Sequence, residues 1–199
     1  MITANARHLA IRDWLVRFGL RPGMDVYELG CGSGAVTELI ADVLDGEGSI
    51  LALDIDLEQV INASELLAGR ASIRREDAAK FDPGREFDAI VLPDVLEHID
   101  PSRHYHLFQL LAACLRPDGF IFIHMPNPLF LAWIHQNRPD LLQKPFDEPV
   151  FTRDLLEAVE AARLYLHHLE TYTVWQANHD YQAIVLRHLW AASKFELDS

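Results

Sequence analysis

A strand that runs straight into alternating glycines constrains this chain more than any other feature. In Val26-Tyr27-Glu28-Leu29-Gly30-Cys31-Gly32-Ser33-Gly34, a strand over 25–29 meets Gly30, Gly32 and Gly34. A helical pattern follows over 35–44, with Val36, Leu39, Ile40 and Val43 on its apolar face. Gly30 and Gly32 supply turn dihedrals and let backbone approach a ligand closely. Gly34 permits tight packing at the helix start, where free N–H groups can hold a carboxylate or phosphate. Asp54 closes the next strand, 24 residues after Gly30, and a carboxylate there can accept both hydroxyls of a ribose. The spacing is G-x-G-x-G, whereas the dinucleotide fingerprint is G-x-G-x-x-G, which opposes a hydride-transfer enzyme. Glu28 points the same way: a carboxylate beside the turn repels a pyrophosphate and suits an ammonium-bearing ligand.

The strand–helix rhythm extends along most of the chain. A helix is expected over 3–18, strands over 49–53, 71–75, 87–92 and 120–124, and helices over 57–68 and 102–115. The unbroken apolar run of 87–92 suits a central parallel strand covered on both faces. Five prolines punctuate 126–150, which is longer than an ordinary connection and reads as a substrate loop or lid with a short helix near 129–136. Thr152 reads as the N-cap of a helix over 153–163. Strands over 165–174 and 182–189 then form an antiparallel hairpin, and the tail from Ser193 is expected to fray. The pattern is α/β: an open, Rossmann-like sheet of seven strands, mostly parallel, with helices on both faces and a C-terminal hairpin. One domain over 1–199 accommodates it.

Charge and cysteine content narrow the function classes. Thirty acidic residues face 17 Lys plus Arg, a formal net charge of −13, so a phosphate-tracking surface and a nucleic-acid partner are disfavoured. Cys31 and Cys114 make neither a disulfide framework nor a thiolate metal site. The opening MITANARHLAIRDWLVRFG has scattered charges and does not read as a signal peptide, and no apolar stretch is long enough to span a membrane. The expected setting is cytoplasmic, as a monomer or homodimer acting on a small molecule.

Glu28-Leu29-Gly30-Cys31-Gly32-Ser33-Gly34 resembles the first motif of the class I S-adenosylmethionine-dependent methyltransferases. Asp54 resembles their ribose-binding acid, and Asp77-Ala78 the acidic position that accepts from the adenine amino group. Phe87–Leu92 resembles their fourth strand, and Leu115-Arg116-Pro117-Asp118-Gly119 the turn before the fifth, with Asp118 where the family commonly has a second glycine. The resemblance covers about residues 20–125 and implies S-adenosyl-L-methionine as cofactor. It implies that Gly30, Cys31 and Gly32 line its methionine portion and that Glu28 acts on its amino group, directly or through water. Asp54 would then bind the ribose, Ile55 the adenine face, and Asp77 with Ala78 the adenine edge; Pro93 would also contact the cofactor. Asp56 reads instead as the cap of the next helix.

Ligands of open α/β sheets lie beyond the carboxyl ends of the strands. Pro93-Asp94-Val95-Leu96-Glu97-His98 therefore faces the site, and Asp94, Glu97 and His98 are candidate proton acceptors for a methyl-transfer reaction. His124, Asn127, Phe130, Trp133 and Phe146 are candidate substrate contacts, with Trp14 a further wall and His135, Asn137 and Arg138 as polar exits. His167 and His168 read as structural or surface residues. O-methylation is slightly favoured. The Asp94-x-x-Glu97-His98 spacing also resembles metal-assisted subgroups of the family, which gives a metal-assisted O-methyltransferase as an alternative. A non-catalytic cofactor-binding or regulatory module is another.

Overall fold

The computed structural model describes residues 4–142, 147–176 and 178–189. Among them, β1 (Asp25–Leu29), β2 (Ser49–Asp54), β3 (Ser72–Arg75), β4 (Phe87–Pro93), β5 (Leu115–Pro126), β6 (Leu164–Tyr172) and β7 (Tyr181–His188) form one sheet in the order β3-β2-β1-β4-β5-β7-β6. The first five strands pair in parallel; β7 runs antiparallel between β5 and β6. This is the open, mostly parallel seven-stranded sheet with an antiparallel hairpin that the sequence pattern predicts. The strand order reverses between β1 and β4, and a crevice opens there at the carboxyl ends.

Helices cover both faces: α1 (Ala6–Arg17), α2 (Ala35–Leu44), α3 (Leu57–Leu66), α4 (His104–Ala113), α5 (Pro128–Asn137) and α6 (Thr152–Ala161). The alternation of β4 shows why they are needed. Ile90 and Leu92 pack in one layer with Phe108 and Leu111 of α4 and Leu155 and Val159 of α6. Ala89 and Val91 face the other, with Ile11 and Leu15 of α1, Ile40 of α2 and Ala63 of α3. Each large apolar side chain buried here contributes about 1.5–3 kcal/mol. Trp14 and Phe18 extend the second layer onto the hairpin, their rings 5.5 and 5.0 Å from His168. His168 is thus a structural residue, while His167 is exposed.

Some boundaries differ from the sequence reading. Thr152 is the first helical residue of α6; Phe151 occupies the cap position and no side chain caps it. A 3-10 turn over Pro101–Arg103, capped by Asp100, precedes α4 and delays its start to His104. β5 begins at Leu115, before its expected start, because the turn at 116–119 is absorbed into the strand by a register shift opposite Phe87 and Ala89. Arg116 pins that irregularity, pairing with Asp88 and reaching Asp25 at 2.8 Å. The expected lid segment carries α5 and a 3-10 turn over Pro139–Leu141. Residues 143–146 and the tail from Ser193 lie outside the described residues. Among the described residues, no helix is long and apolar enough to cross a membrane.

Candidate active site

A cleft of about 940 Å³ lies beyond the carboxyl ends of β1, β2 and β4. The glycine turn forms its floor. Gly30 has φ 72°, and a Cβ there would meet Val95 Cγ2 at 2.5 Å. Gly32 has φ 51° and open space where its Cβ would point. Its N–H donates to Asp54 Oδ2 at 2.8 Å, and the Asp56 N–H donates to Oδ1 at 2.9 Å. Two backbone donors thus aim the Asp54 carboxylate before any ligand arrives. Asp56 itself caps α3, accepting from the N–H groups of Glu58 and Gln59.

Cys31 lines this floor but is nearly buried, and burial pushes its thiol far above the ordinary range, so it packs rather than reacts. Ile55 is 66% exposed at the rim, an apolar surface left open beside Asp54. Glu28 lies beneath the turn and does not line the cleft. It is fully buried, and neither carboxylate oxygen has a hydrogen-bond partner among the described residues. Burial pushes its pKa up to about 7; the neighbouring Thr37 hydroxyl opposes the shift and the Asp54 carboxylate adds to it.

Asp77, Ala78 and Pro93 line the cleft. Asp77 carries a partner that no motif announced. Arg103 donates through Nη2 to both carboxylate oxygens at 2.8 Å, and the Ala79 N–H adds a third bond. Burial works against ionisation of Asp77, but Arg103 and that N–H outweigh it and hold the carboxyl below its ordinary range.

The other end of the cleft is built around Asp94, a non-glycine residue with φ 56°. Such a conformation is uncommon outside glycine and persists only where the surroundings fix it. Here the Asp94 N–H donates to the His124 carbonyl at 2.8 Å, Oδ1 lies 2.6 Å from His124 Nδ1, and Oδ2 lies 3.2 Å from Arg7 Nη1. Glu97 also lines the cleft, is 3% exposed, and leaves Oε2 without a hydrogen bond among the described residues. Burial, then the neighbouring Asp94 and Asp147 carboxylates, hold its pKa well above the ordinary value. His98 lines the same wall, with Nδ1 3.9 Å from Asp147 Oδ1.

The structure brings Asp94, Glu97 and His98 to one wall and distributes the expected substrate contacts unevenly. Phe130 lines the cleft, with Leu131 and Ile134 of the same helix. Trp133 stacks on Phe130 from the outer side and is 52% exposed, away from the lining. Asn127 caps α5 and donates to the His179 carbonyl instead of lining the cleft. His124 lies fully buried behind Asp94, and Trp14 is core. Phe146 is among the residues not described. His135 approaches the Asp147 carbonyl at 2.6 Å, while Asn137 and Arg138 make local bonds within α5 and to Asp140. Among the described residues, no three His, Cys, Asp or Glu side chains are grouped as a metal site requires, so the Asp94/Glu97/His98 metal alternative finds no ligand set there.

Arg7, Arg103 and Tyr181 are cleft residues that the sequence reading missed. Arg7 has its pKa raised: burial opposes this, but Asp94 and Tyr181 outweigh it. No local motif marks these three. Tyr181 reaches the cleft only because β7 pairs with β5, which sets it opposite Pro126.

A family model described as a methyltransferase domain matches residues 4–178. The chain is 29% identical over 172 residues to a trans-aconitate 2-methyltransferase of Methylobacterium nodulans, an alignment covering 86% of this chain and 63% of that protein. A S-adenosylmethionine-dependent methyltransferase from Clostridium acetobutylicum superposes with a TM-score of 0.75 at 13% identity, covering 94% of this chain and 92% of that one. The N-methyltransferase NodS from Bradyrhizobium japonicum gives 0.72 at 17% identity, covering 94% and 99%.

Proposed function

Because the chain belongs to the class I S-adenosylmethionine-dependent methyltransferases, we propose that it transfers the cofactor's methyl group to an oxygen of a small acceptor held against Asp94. The observation that carries the reading is one continuous cleft with a preset Asp54 carboxylate at one end and the Asp94 carboxylate at the other.

The residues present fit the cofactor. Gly32 leaves open space for a close approach, Asp54 offers an aimed carboxylate to a diol, and Ile55 offers an apolar face at the rim. Gly30, Cys31 and Gly32 would hold the methionine portion, Asp77 and Ala78 the adenine edge, and Pro93 the reacting end. Glu28, buried and with neither side-chain oxygen hydrogen-bonded among the described residues, would serve the amino group from below, with water or a small shift of the turn as the link. When bound, the cofactor supplies a methyl group made electrophilic by a positively charged sulfur. Asp94 accepts the proton of the acceptor hydroxyl as the new O–C bond forms, and Phe130, Leu131 and Ile134 hold the acceptor's apolar part.

Among the described residues, the acceptor end presents the carboxyl groups of Asp94, Glu97 and Asp147 against one guanidinium, Arg7, already paired. That favours a neutral hydroxyl over a carboxylate, so the reading departs from the acceptor named for the Methylobacterium relative, of whose length the chain spans only 63%. Two free, buried cysteines accord with a reducing, cytoplasmic setting.

Calorimetry with S-adenosylhomocysteine tests the cofactor half. Wild type should bind, and Asp54→Ala should lose about tenfold to a hundredfold, as expected for losing charge-assisted hydrogen bonds. Methyl-labelled donor offered with separate pools of alcohols and phenols, amines, and carboxylic acids tests the acceptor half. Label entering only amines would overturn O-methylation, and label entering only carboxylic acids would overturn the hydroxyl acceptor.

A further inference from the structure

Behind Asp94 lies a buried polar chain to which each neighbouring strand contributes. His124 of β5 is shut off from solvent. Its Nε2 lies 2.6 Å from the Tyr172 hydroxyl of β6, its Nδ1 2.6 Å from Asp94 Oδ1 at the end of β4, and the ring of Tyr181 of β7 covers it at 4.9 Å. His124 therefore grips Asp94 twice, by side chain and by backbone carbonyl, and fixes the residue with positive φ.

The partners dictate the direction of each bond. An ionised carboxylate only accepts, so Nδ1 carries a proton. Burial raises the Tyr172 hydroxyl above its ordinary range, and Asp94 adds to this, so it remains a phenol with a proton to give. A neutral imidazole that carries its proton on Nδ1 leaves Nε2 as the acceptor of that proton. The groups facing Asp94 from other elements are Arg7 and His8 of α1, Glu97 of the 3-10 turn at Leu96–His98, Tyr172 and Tyr181.

We infer that His124 and Tyr172 are positioning residues for proton transfer: the Tyr172 O–H donates to His124 Nε2, His124 Nδ1–H donates to Asp94 Oδ1, and Oδ2, beside Arg7, is left as the oxygen that takes the acceptor's proton. The inference rests on the reading of Asp94 as proton acceptor. In that step the acceptor O–H bond would break and its proton pass to Oδ2, while the oxygen electron pair forms the O–C bond and the bond from the methyl carbon to the donor's sulfur breaks, its electron pair staying on sulfur in S-adenosylhomocysteine. The proton on Nδ1 does not move; it holds Oδ1 and leaves Oδ2, which lies 3.2 Å from Arg7 Nη1, as the oxygen that reacts. Second groups of this kind set the tautomer and orientation of a catalytic partner.

Nitrogen-15 NMR of the full chain with labelled imidazoles reads this directly. His124 should show a protonated Nδ1 and an unprotonated Nε2, with its Nδ1–H proton far downfield. Tyr172→Phe should shift Nε2 while keeping the Nδ1–H signal. Asp94→Asn should move that proton upfield, because a neutral acceptor bonds more weakly than a carboxylate. S-adenosylhomocysteine affinity should change by less than about twofold in either variant, well under the loss of a direct contact. A predominant Nε2–H tautomer, or an Nδ1–H signal indifferent to Asp94→Asn, would overturn the relay even if the cofactor product binds well. Failure of wild type to bind S-adenosylhomocysteine would sink the functional reading while leaving the tautomer result intact.

Discussion

Arg103 holds Asp77 by one guanidinium nitrogen placed 2.8 Å from each carboxylate oxygen. The residue implied for the adenine amino group is therefore already aimed and partly neutralised by a side chain from the turn before α4. Arg103 should act on cofactor affinity through Asp77 and not independently. Arg103→Met and Asp77→Asn are each expected to weaken S-adenosylhomocysteine binding by about tenfold, and the double variant by little more, since members of one network do not add. Calorimetry on the four proteins checks this; fully additive losses would show that the two side chains contact the ligand separately.

Two glycines of the same turn should fail differently. Gly34 has φ 92°, and a Cβ there would lie 2.9 Å from Leu67 Cδ1 and 3.3 Å from Ala63 Cβ. Gly34→Ala should destabilise the fold by about 2–3 kcal/mol, combining backbone strain with overpacking. Gly32 meets nothing within 4 Å. Gly32→Ala should cost only about 1–2 kcal/mol of strain, with its larger effect on ligand affinity. Urea unfolding beside calorimetry separates the two.

Glu28 should leave a signature in the pH dependence of stability. Its folded-state pKa, about 7, lies above the ordinary value of 4.5. The folded protein therefore holds the proton more tightly than the unfolded chain, and stability is fully present below about pH 4.5 and falls as pH rises towards 7. The loss approaches about 3 kcal/mol above that window. Glu28→Gln should flatten this part of the profile, as read from urea unfolding at pH 5 and pH 8. If Glu28 serves the cofactor's ammonium group, S-adenosylhomocysteine binding near pH 6.5–7 should also release a proton, visible as a buffer-dependent binding enthalpy.

Glu97 should behave as a carboxyl kept for chemistry at a cost in stability. It is buried beside Asp94 and Asp147, and its pKa is raised. Its contribution likewise declines with rising pH, so Glu97→Gln should be at least as stable as wild type at pH 8. Methyl transfer from labelled donor should nevertheless fall by more than about tenfold if Glu97 holds the acceptor through a hydrogen bond. Loss of stability at pH 8 would show that Glu97 supports the fold as a carboxylate.

The glycine-turn end of the cleft is legible in the sequence because it is local. Gly30, Gly32, Asp54 and Asp77 each sit at or just after the end of a strand, where the alternation of apolar runs and turn residues locates them. The acceptor half depends on long-range pairing. The sequence reads His124 as a substrate contact at the end of its strand, whereas β5 continues to Pro126 and His124 lies buried behind Asp94, packed under β6 and β7. Arg7 lies in a helix of mixed composition with no motif, and its role appears only when α1 crosses to Asp94. Trp133 was misdirected because the helical periodicity of α5 does not say which apolar flank turns inward.

The reversal of strand order between β1 and β4 divides labour as well as space. The residues proposed for the nucleoside come from the β1–β3 side and the turn before α4, whereas Arg7, Phe130, His124, Tyr172 and Tyr181 arrive from the first helix, α5, β5 and the hairpin strands. Acceptor preference can therefore drift, or be engineered by grafting the hairpin and α5 together, without disturbing the machinery that loads the methyl donor.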